Sequence, residues 1–349
     1  MSMKEGWVYL LREKDFLSGE IDRYLKIGLT ERDVDVRVKE HQTGNARRVM
    51  SVYEKHVPLM SSMENHLHHV YSSDRIYGEW FDLDDTRVQN ELIPMIERLA
   101  TEQAETKTHK EAVAELKKKY DNGTVRDPTP AETALHEAYL TAKHAHTLAK
   151  ARHAIDDAKV RALIGTSESI EGVVLVKPKK QSKHFNKAAF LKSLTPEEFA
   201  LCHATVTEFK AGSPKIEGVK TLKKLDAELD AEKKAADKAI TTPPSLANVG
   251  GGEATRTTEA EQAHAAYLAS RKAVREAEWD AERHAAALAA AIGEDREITG
   301  VVSWIREDVT TENKWNLDLA KEHFPEKYEA HRHERPDIVE VIIAEGHAY

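Results

Sequence analysis

Apolar residues recur at every second position in two short stretches near the start of the chain. Over 6–12, Trp7, Tyr9 and Leu11 alternate with Val8 and Leu10; over 23–30, Leu25, Ile27 and Leu29 alternate with Tyr24, Lys26 and Gly28. This period predicts two β-strands. The polar segment Lys14–Asp22, which contains Gly19, reads as a long hairpin loop between them. The period then changes. Asp33 is placed to cap a helix running to about 42, with Val34 and Val38 inward, and Gly44-Asn45 stops it. Residues 48–57 are a candidate third strand. After Pro58 a helix from about 60 to 72 would carry Met60, Met63, Leu67 and Val70 on one face, and Gly78–Leu83 reads as a short closing strand. The order β-β-α-β-α-β predicts a small, compact α/β domain over residues 1–95.

From about 86 to 120 the pattern is that of one long amphipathic helix, or two, rich in Glu, Lys and Ala. Asp121-Asn-Gly and Pro128-Thr-Pro130 break it, which makes 96–130 a helical connector. The remainder repeats itself. With the chain shifted by 128 residues, Ala138-Tyr139-Leu140 falls on Ala266-Tyr267-Leu268, Ile164-Gly165 on Ile292-Gly293, and Gly172-Val-Val174 on Gly300-Val-Val302. From His136 to Val174 there are 14 identities in 39 ungapped positions, which establishes an internal duplication. Each copy reads as a long helix ended by glycine, then a strand, then a second helix (about 187–199 and 315–329). The expected organisation is two mainly helical α+β units with long helices, 131–225 and 259–349, joined by a helix and linker over 226–258. Thr241-Thr-Pro-Pro-Ser-Leu-Ala-Asn-Val-Gly-Gly-Gly252 has the composition of a flexible linker. A helix of about 26 residues would span roughly 39 Å, so the units are expected to be elongated.

Composition narrows the class. A chain of 349 residues suggests two or three domains. Cys202 is the single cysteine, which excludes an internal disulfide framework and predicts a reducing compartment. No 18-residue apolar stretch occurs, and Met1–Trp7 lacks the apolar run of a leader, so the expectation is a cytoplasmic protein without membrane contact. The net charge of −9 is unevenly spread. Residues 1–100 are net −4 and 225–349 net −11, whereas 170–224 carry 11 lysines against 5 acids. Lys177, Lys179, Lys180, Lys183 and Lys187 form the one strongly basic stretch. It reads either as a phosphate-binding surface or as a solvated lysine-rich loop.

Hydrolysis of a phosphodiester requires an activated water, a cation to hold the phosphate and stabilisation of the charge that develops. The first domain offers residues of these types. Tyr9 is on strand one, and Lys26 is on strand two beside Gly28. Arg37 and His41 are four apart and share a helix face, as do Glu64 and His68. Glu79 lies on the closing strand, Tyr24 on the same strand face as Lys26, and Arg47 and Arg48 are candidates for DNA contact. Singly, each has an ordinary reading: Tyr9 as core, Arg37 as a surface ion pair, Glu64 as a solvated carboxylate. Convergence of the set would distinguish a site. His66, His68 and His69 have no cysteine or second histidine pair at zinc-site spacing, so His68 is expected to be a structural or supporting partner. The histidines at 136, 144, 146, 153, 264 and 284 on Ala-rich helices, and His331 and His333, are expected at the surface.

The ordered set Gly6-Trp-Val-Tyr9, Lys26-Ile-Gly28, Arg37 with His41, Thr43-Gly-Asn45, Glu64 with His68, and Gly78-Glu-Trp-Phe81 resembles the GIY-YIG nuclease superfamily, and most of all its bacteriophage branch. The resemblance covers about residues 5–84. It implies a metal-dependent DNA endonuclease. Tyr9 would help activate the attacking water, Arg37 would bind the scissile phosphate, His41 would assist proton transfer, and Glu64 would hold one Mg²⁺ or Mn²⁺. Lys26 stands where the family name has its second tyrosine, and lysine can stabilise phosphate charge or take a proton. That departure leaves a second reading open, a non-catalytic DNA- or protein-binding factor. Tyr267-Leu-Ala-Ser, Ile292-Gly293 and Gly300-Val-Val-Ser-Trp304 resemble the C-terminal tail of YqaJ-type phage exonucleases, without the exonuclease core. The duplicated arms would then clamp DNA, form a homo-oligomer through their long helices, or dock a replication or recombination protein.

Overall fold

The computed structural model describes residues 4–223, 227–240, 250 and 252–346. It is a mixed α/β structure. In the first domain, β1 (Gly6–Lys14) pairs antiparallel with β2 (Tyr24–Thr30). Helix α1 (Val34–Gln42) follows, its first turn capped by the Asp33 carboxylate, which accepts from the Asp35 amide. Then come β3 (Arg48–Val57), α2 (Met60–Val70), β4 (Arg75–Tyr77) and β5 (Trp80–Asp82). The sheet order is β3-β1-β2-β5-β4. The alternation seen in the sequence sorts its two sides. Val8, Leu10, Leu25, Ile27 and Phe81 pack with Met60, Met63, Leu67 and Val70 of α2, while Tyr9 and Leu11 cluster with Val34, Val38 and Val49.

The predicted helix after 86 begins as α3 (Asp85–Arg87), passes through one π-helical turn (Val88–Leu92) and continues as α4 (Ile93–Leu116). Pro94 has no amide hydrogen to give to the preceding turn, and the wider turn absorbs the gap. Ile96, Leu99 and Ala100 of α4 belong to the same core as the sheet, so the first domain does not end at residue 95.

The duplicated region departs from two separate units. Its strands are β6 (Val125–Arg126), β7 (Ser169–Ile170), β8 (Val174–Lys179), β9 (His184–Phe185), β10 (His203–Lys210) and β11 (Lys215–Ile216). They continue as β12 (Glu253–Ala254), β13 (Glu297–Ile298), β14 (Val302–Ser303), β15 (Glu307–Trp315), β16 (Arg332–His333) and β17 (Ile338–Ile343). Helix α5 (Pro130–Ile164) belongs to the first copy and α9 (Thr258–Ala291) to the second. The start of α5 shares a core with the end of α9, through Leu135 and Tyr139 with Leu288 and Ile292. At the other end Val160 and Ile164 meet Ala260 and Tyr267. The helices are therefore antiparallel, and the 35 residues of α5 span about 52 Å. They are longer than expected because the helical run starts at Pro130, where Thr129 and Glu132 form a capping box. The two long helices thus pair with each other within this chain.

The strands cross between copies. β6, ahead of α5, pairs with β13 after α9, and β12, ahead of α9, pairs with β7 after α5. β8 pairs with β17, β9 with β16, β10 with β15 and β11 with β14. Units 131–225 and 259–349 consequently have shared cores. The second helix predicted in each copy is two: α6 (Lys187–Lys192) and α7 (Pro196–Leu201), and α10 (Leu317–His323) and α11 (Pro325–Ala330). Pro196 and Pro325 start new helices rather than extend old ones. These four close over Phe190, Cys202 and Ala320, with Phe185, Trp315 and Tyr328 around them.

Helix α8 (Ala227–Ala239) covers the middle of α5 through Leu229 against Ala151 and Ile155. The first domain covers the middle of α9, where Trp279 enters the core of the sheet and its Nε1 donates to Glu102 at 2.7 Å. The predicted linker Thr241–Gly252 falls largely outside the described residues. His146 and His264 are buried rather than on the surface; the ring of His264 is 2.8 Å from the carbonyl of Ala344. Among the described residues no helix is long and apolar enough to cross a membrane.

Trp279 is 2% exposed and is the large side chain that fastens the duplicated region to the first domain. Trp279→Ala is expected to cost about 3–5 kcal/mol in urea-induced unfolding of the full chain. A loss under about 1 kcal/mol would mean that the indole does not fasten this joint.

Candidate active site

Tyr9 is fixed by its place in an inner strand, β1, opposite Gly28 of β2. A Cβ at Gly28 would lie 2.5 Å from the Tyr9 hydroxyl, so only glycine lets the phenol lie across β2. Helix α1 brings two side chains to that hydroxyl. Arg37 Nε donates to it at 3.4 Å, and His41 Nε2 is 3.3 Å away. Arg37 is held from its other side by Glu40 at 2.6 Å, and Glu40 also takes Arg32. Burial, and then the charges of Lys26 and Arg37, lower the His41 pKa, so the imidazole is neutral at pH 7 and able to accept a proton. Burial raises the Tyr9 pKa, against the opposing pull of Arg37.

Lys26 is buried on β2 and ion-paired with Glu79, which sits just ahead of β5. Burial pushes the Glu79 carboxyl up, but the bond to Lys26 and the charges of Lys26, His68 and His41 outweigh it, and the net shift is downward. Glu64 projects from α2 and makes no hydrogen bond or ion pair among the described residues. Burial, reinforced by Glu79 and opposed by Lys26 and Arg75, raises its carboxyl to about 7. It lines a 330 Å³ pocket with Ser61, His68, Arg75, Arg271 and Glu345.

Of the residues picked from sequence, Tyr9, Arg37 and His41 meet at one hydroxyl and Lys26 pairs with Glu79; Glu64 lines the neighbouring pocket, within electrostatic reach of Tyr9, Lys26 and Glu79. His68 borders them in a supporting place: its Nε2 is 3.0 Å from the Ile27 carbonyl and its ring lies against Phe81. Tyr24 does not join. It is exposed, one step along β2, in a small pocket with Tyr77 and Trp80. Arg48 begins β3, opposite Lys14 rather than Tyr9, and Arg47 just ahead of it lies 3.9 Å from both Glu13 and Asp22. Those acids neutralise it. His66 faces Trp279 and His69 its own helix carbonyl, at Asn65. Arg75, Arg271 and Glu345 were not picked, because each reaches the pocket from an element distant in sequence.

The lysines lie elsewhere. Lys177 and Lys179 are on β8, Lys180 and Lys183 run on from it, and Lys187 opens α6 with its ammonium 4.8 Å from the Trp315 ring centre. Lys179 pairs with Glu340 and Lys183 with Glu334, whereas Lys177 and Lys180 are exposed without ion pairs among the described residues. Arg332 and Arg335 of the paired strand region add to this surface.

A metal held by these residues would rest on Glu64. Among the described residues no group of three or more His, Cys, Asp and Glu side chains forms a metal cluster. One uncommitted carboxylate beside an open pocket fits Mg²⁺ or Mn²⁺, which fill their shells with water and phosphate oxygens. No protein-family model, curated protein or solved structure matches the chain.

The Glu64 shift has a consequence for stability. Its folded value, about 7, lies above the ordinary 4.5, so the fold favours the protonated form. That contribution is full below about 4.5, declines as the pH rises, and is gone above about 7. Glu64→Gln is expected to raise Tm at pH 8 and leave it unchanged at pH 4.5 in metal-free buffer. Equal Tm differences at both pH values would show that Glu64 titrates normally.

Proposed function

We propose that the first domain is a GIY-YIG-type, divalent-metal-dependent DNA endonuclease, and that the duplicated region holds its substrate. The observation that carries this reading is the convergence of Tyr9, His41 and Arg37 on one hydroxyl, beside a buried lysine and an uncommitted carboxylate. Tyr9 accepts a proton from the attacking water as its own hydroxyl proton passes to the neutral His41. Arg37, freed from Glu40 by the substrate, binds a non-bridging oxygen of the scissile phosphate and stabilises its growing charge. Lys26, kept in place by Glu79, adds positive charge at the same locus. Glu64 would hold Mg²⁺ or Mn²⁺, which when bound polarises the phosphate and the leaving oxygen.

The full chain is expected to nick or cut plasmid DNA with Mg²⁺ or Mn²⁺ and not with EDTA. Tyr9→Phe and Glu64→Gln should each lose about 10²- to 10³-fold in rate without a lowered Tm. Undiminished cleavage by Glu64→Gln overturns the site. The second reading, a factor that binds without cutting, draws on the internal pairing of both cations, buried Lys26 with Glu79 and half-exposed Arg37 with Glu40. Retained DNA binding with no cleavage of plasmid, single-stranded or branched DNA selects it.

The first domain is net acidic, so the substrate must be captured elsewhere. The ribbon of β8 and β17 supplies exposed lysines. In the double variant Lys177→Glu, Lys180→Glu, the slope of log affinity against log salt should fall by about two. An unchanged slope places the DNA on another surface.

A further inference from the structure

The pocket beside Glu64 contains an arginine pair that cleavage does not use. Arg75 comes from β4 of the first domain and Arg271 from α9 of the second copy. Both guanidinium groups are ion-paired to Glu345, one to each of its oxygens. Arg75 lies 5.3 Å from the Phe81 ring centre, and its Nε is buried without a partner. Its planar fork is therefore already positioned. One carboxylate between two guanidinium groups leaves a net positive charge, and the same geometry suits the two anionic oxygens of a phosphodiester.

Glu345 reaches this place because of its neighbour. Gly346 has φ of 57°, and a Cβ there would lie 2.2 Å from the Arg75 carbonyl oxygen, so only glycine lets the chain end of β17 lie against β4. The duplication supplies an internal comparison. Shifted by 128 residues, Glu345-Gly346 falls on Glu217-Gly218 and Arg271 on Lys143. Glu217 is exposed and forms no ion pair among the described residues. The bridged pair is thus a feature of the second copy, where it adjoins the first domain.

We propose that Arg75 and Arg271 form a phosphate subsite for the strand that enters the Glu64 pocket, and that Glu345 is a resident carboxylate displaced by that phosphate. The identity of the ligand as DNA rests on the endonuclease reading. The anion subsite itself does not.

The test uses the full chain in EDTA, with a fluorescent duplex oligonucleotide and, separately, inorganic pyrophosphate as probes. Glu345→Gln keeps the shape and removes the competing charge. It should bind the duplex roughly three- to tenfold more tightly, with a salt slope steeper by about one. Arg271→Gln, a partly exposed helix position, should weaken binding by a similar factor and cancel the gain in the double variant. Pyrophosphate should raise Tm more in Glu345→Gln than in the parent, and least in Arg271→Gln. If Glu345→Gln is poorly folded, the Arg271→Gln arm decides alone. A parent that binds no duplex but is stabilised by pyrophosphate in this order sinks the DNA reading and keeps the subsite. Duplex affinity and pyrophosphate response unmoved by either variant mean that Glu345 only anchors the strand end, and the proposal fails.

Discussion

The exchange of strands between the two copies is the constraint on which the rest of the structure depends. β6 and β12 are two residues long, and strands of that length have no stability of their own. Each is laid against the strand that follows the other copy's helix, over the core that the two helix ends share. Neither copy closes an end of the helix pair without the other. The region resembles an isologous dimer folded from one chain, with the same strand exchanges made twice. His136 reaches the Glu217 carbonyl at 3.1 Å, and His264 the Ala344 carbonyl at 2.8 Å.

Symmetry of that kind provides every surface in duplicate, and the sequence then differentiates the pair. Position 151 is Ala and admits Leu229 of α8; its counterpart 279 is Trp and enters the core of the first domain. The ribbons diverge in charge. Along β8, β17 and their extensions, Lys177, Lys179, Lys180, Lys183, Arg332 and Arg335 outnumber Glu334, Asp337 and Glu340. Along β10 and β15, Glu208, Glu307, Asp308 and Glu312 outnumber Lys210 and Lys314. Positive charge is therefore concentrated on one of the two ribbons.

Much of the first domain was legible because its physics is local. Period-two alternation fixes which side of a strand faces the core, and Asp33 or Met60–Val70 mark a helix within a few residues. The placement of Tyr9, Gly28, Arg37 and His41 followed from that, since they sit on consecutive elements, two strands paired through a hairpin and the helix that follows them. The duplication was legible by identity, but its interleaving was not. Alternation shows that a strand has a buried side without naming its partner. The strands of 203–210 and 307–315 carry mainly polar residues, which hid them altogether. Pro196 and Pro325 split helices that amphipathic spacing had joined. Arg75 and Glu345, 270 positions apart, meet only through the full tertiary structure.

On the endonuclease reading, the chain path also bears on how capture and cutting would be joined. β17 pairs with the lysine strand, from Ile338 opposite Lys179 to Ile343 opposite Val174, and two residues later Glu345 bridges the arginines beside Glu64. Seven residues of extended chain cover about 23 Å, less than one turn of duplex DNA at about 34 Å. One turn of duplex is therefore long enough to span the separation between the lysines and the pocket. On the endonuclease reading, this proximity offsets the acidic character of the first domain, because the positive surface is held at fixed distance by a strand rather than by a linker. On the same reading, Lys26 would have a simpler task than a tyrosine at that position. With capture supplied by the ribbon and proton transfer by Tyr9 and His41, the residue at 26 would have only to hold positive charge beside the phosphate, a role that suits a buried lysine ion-paired with Glu79.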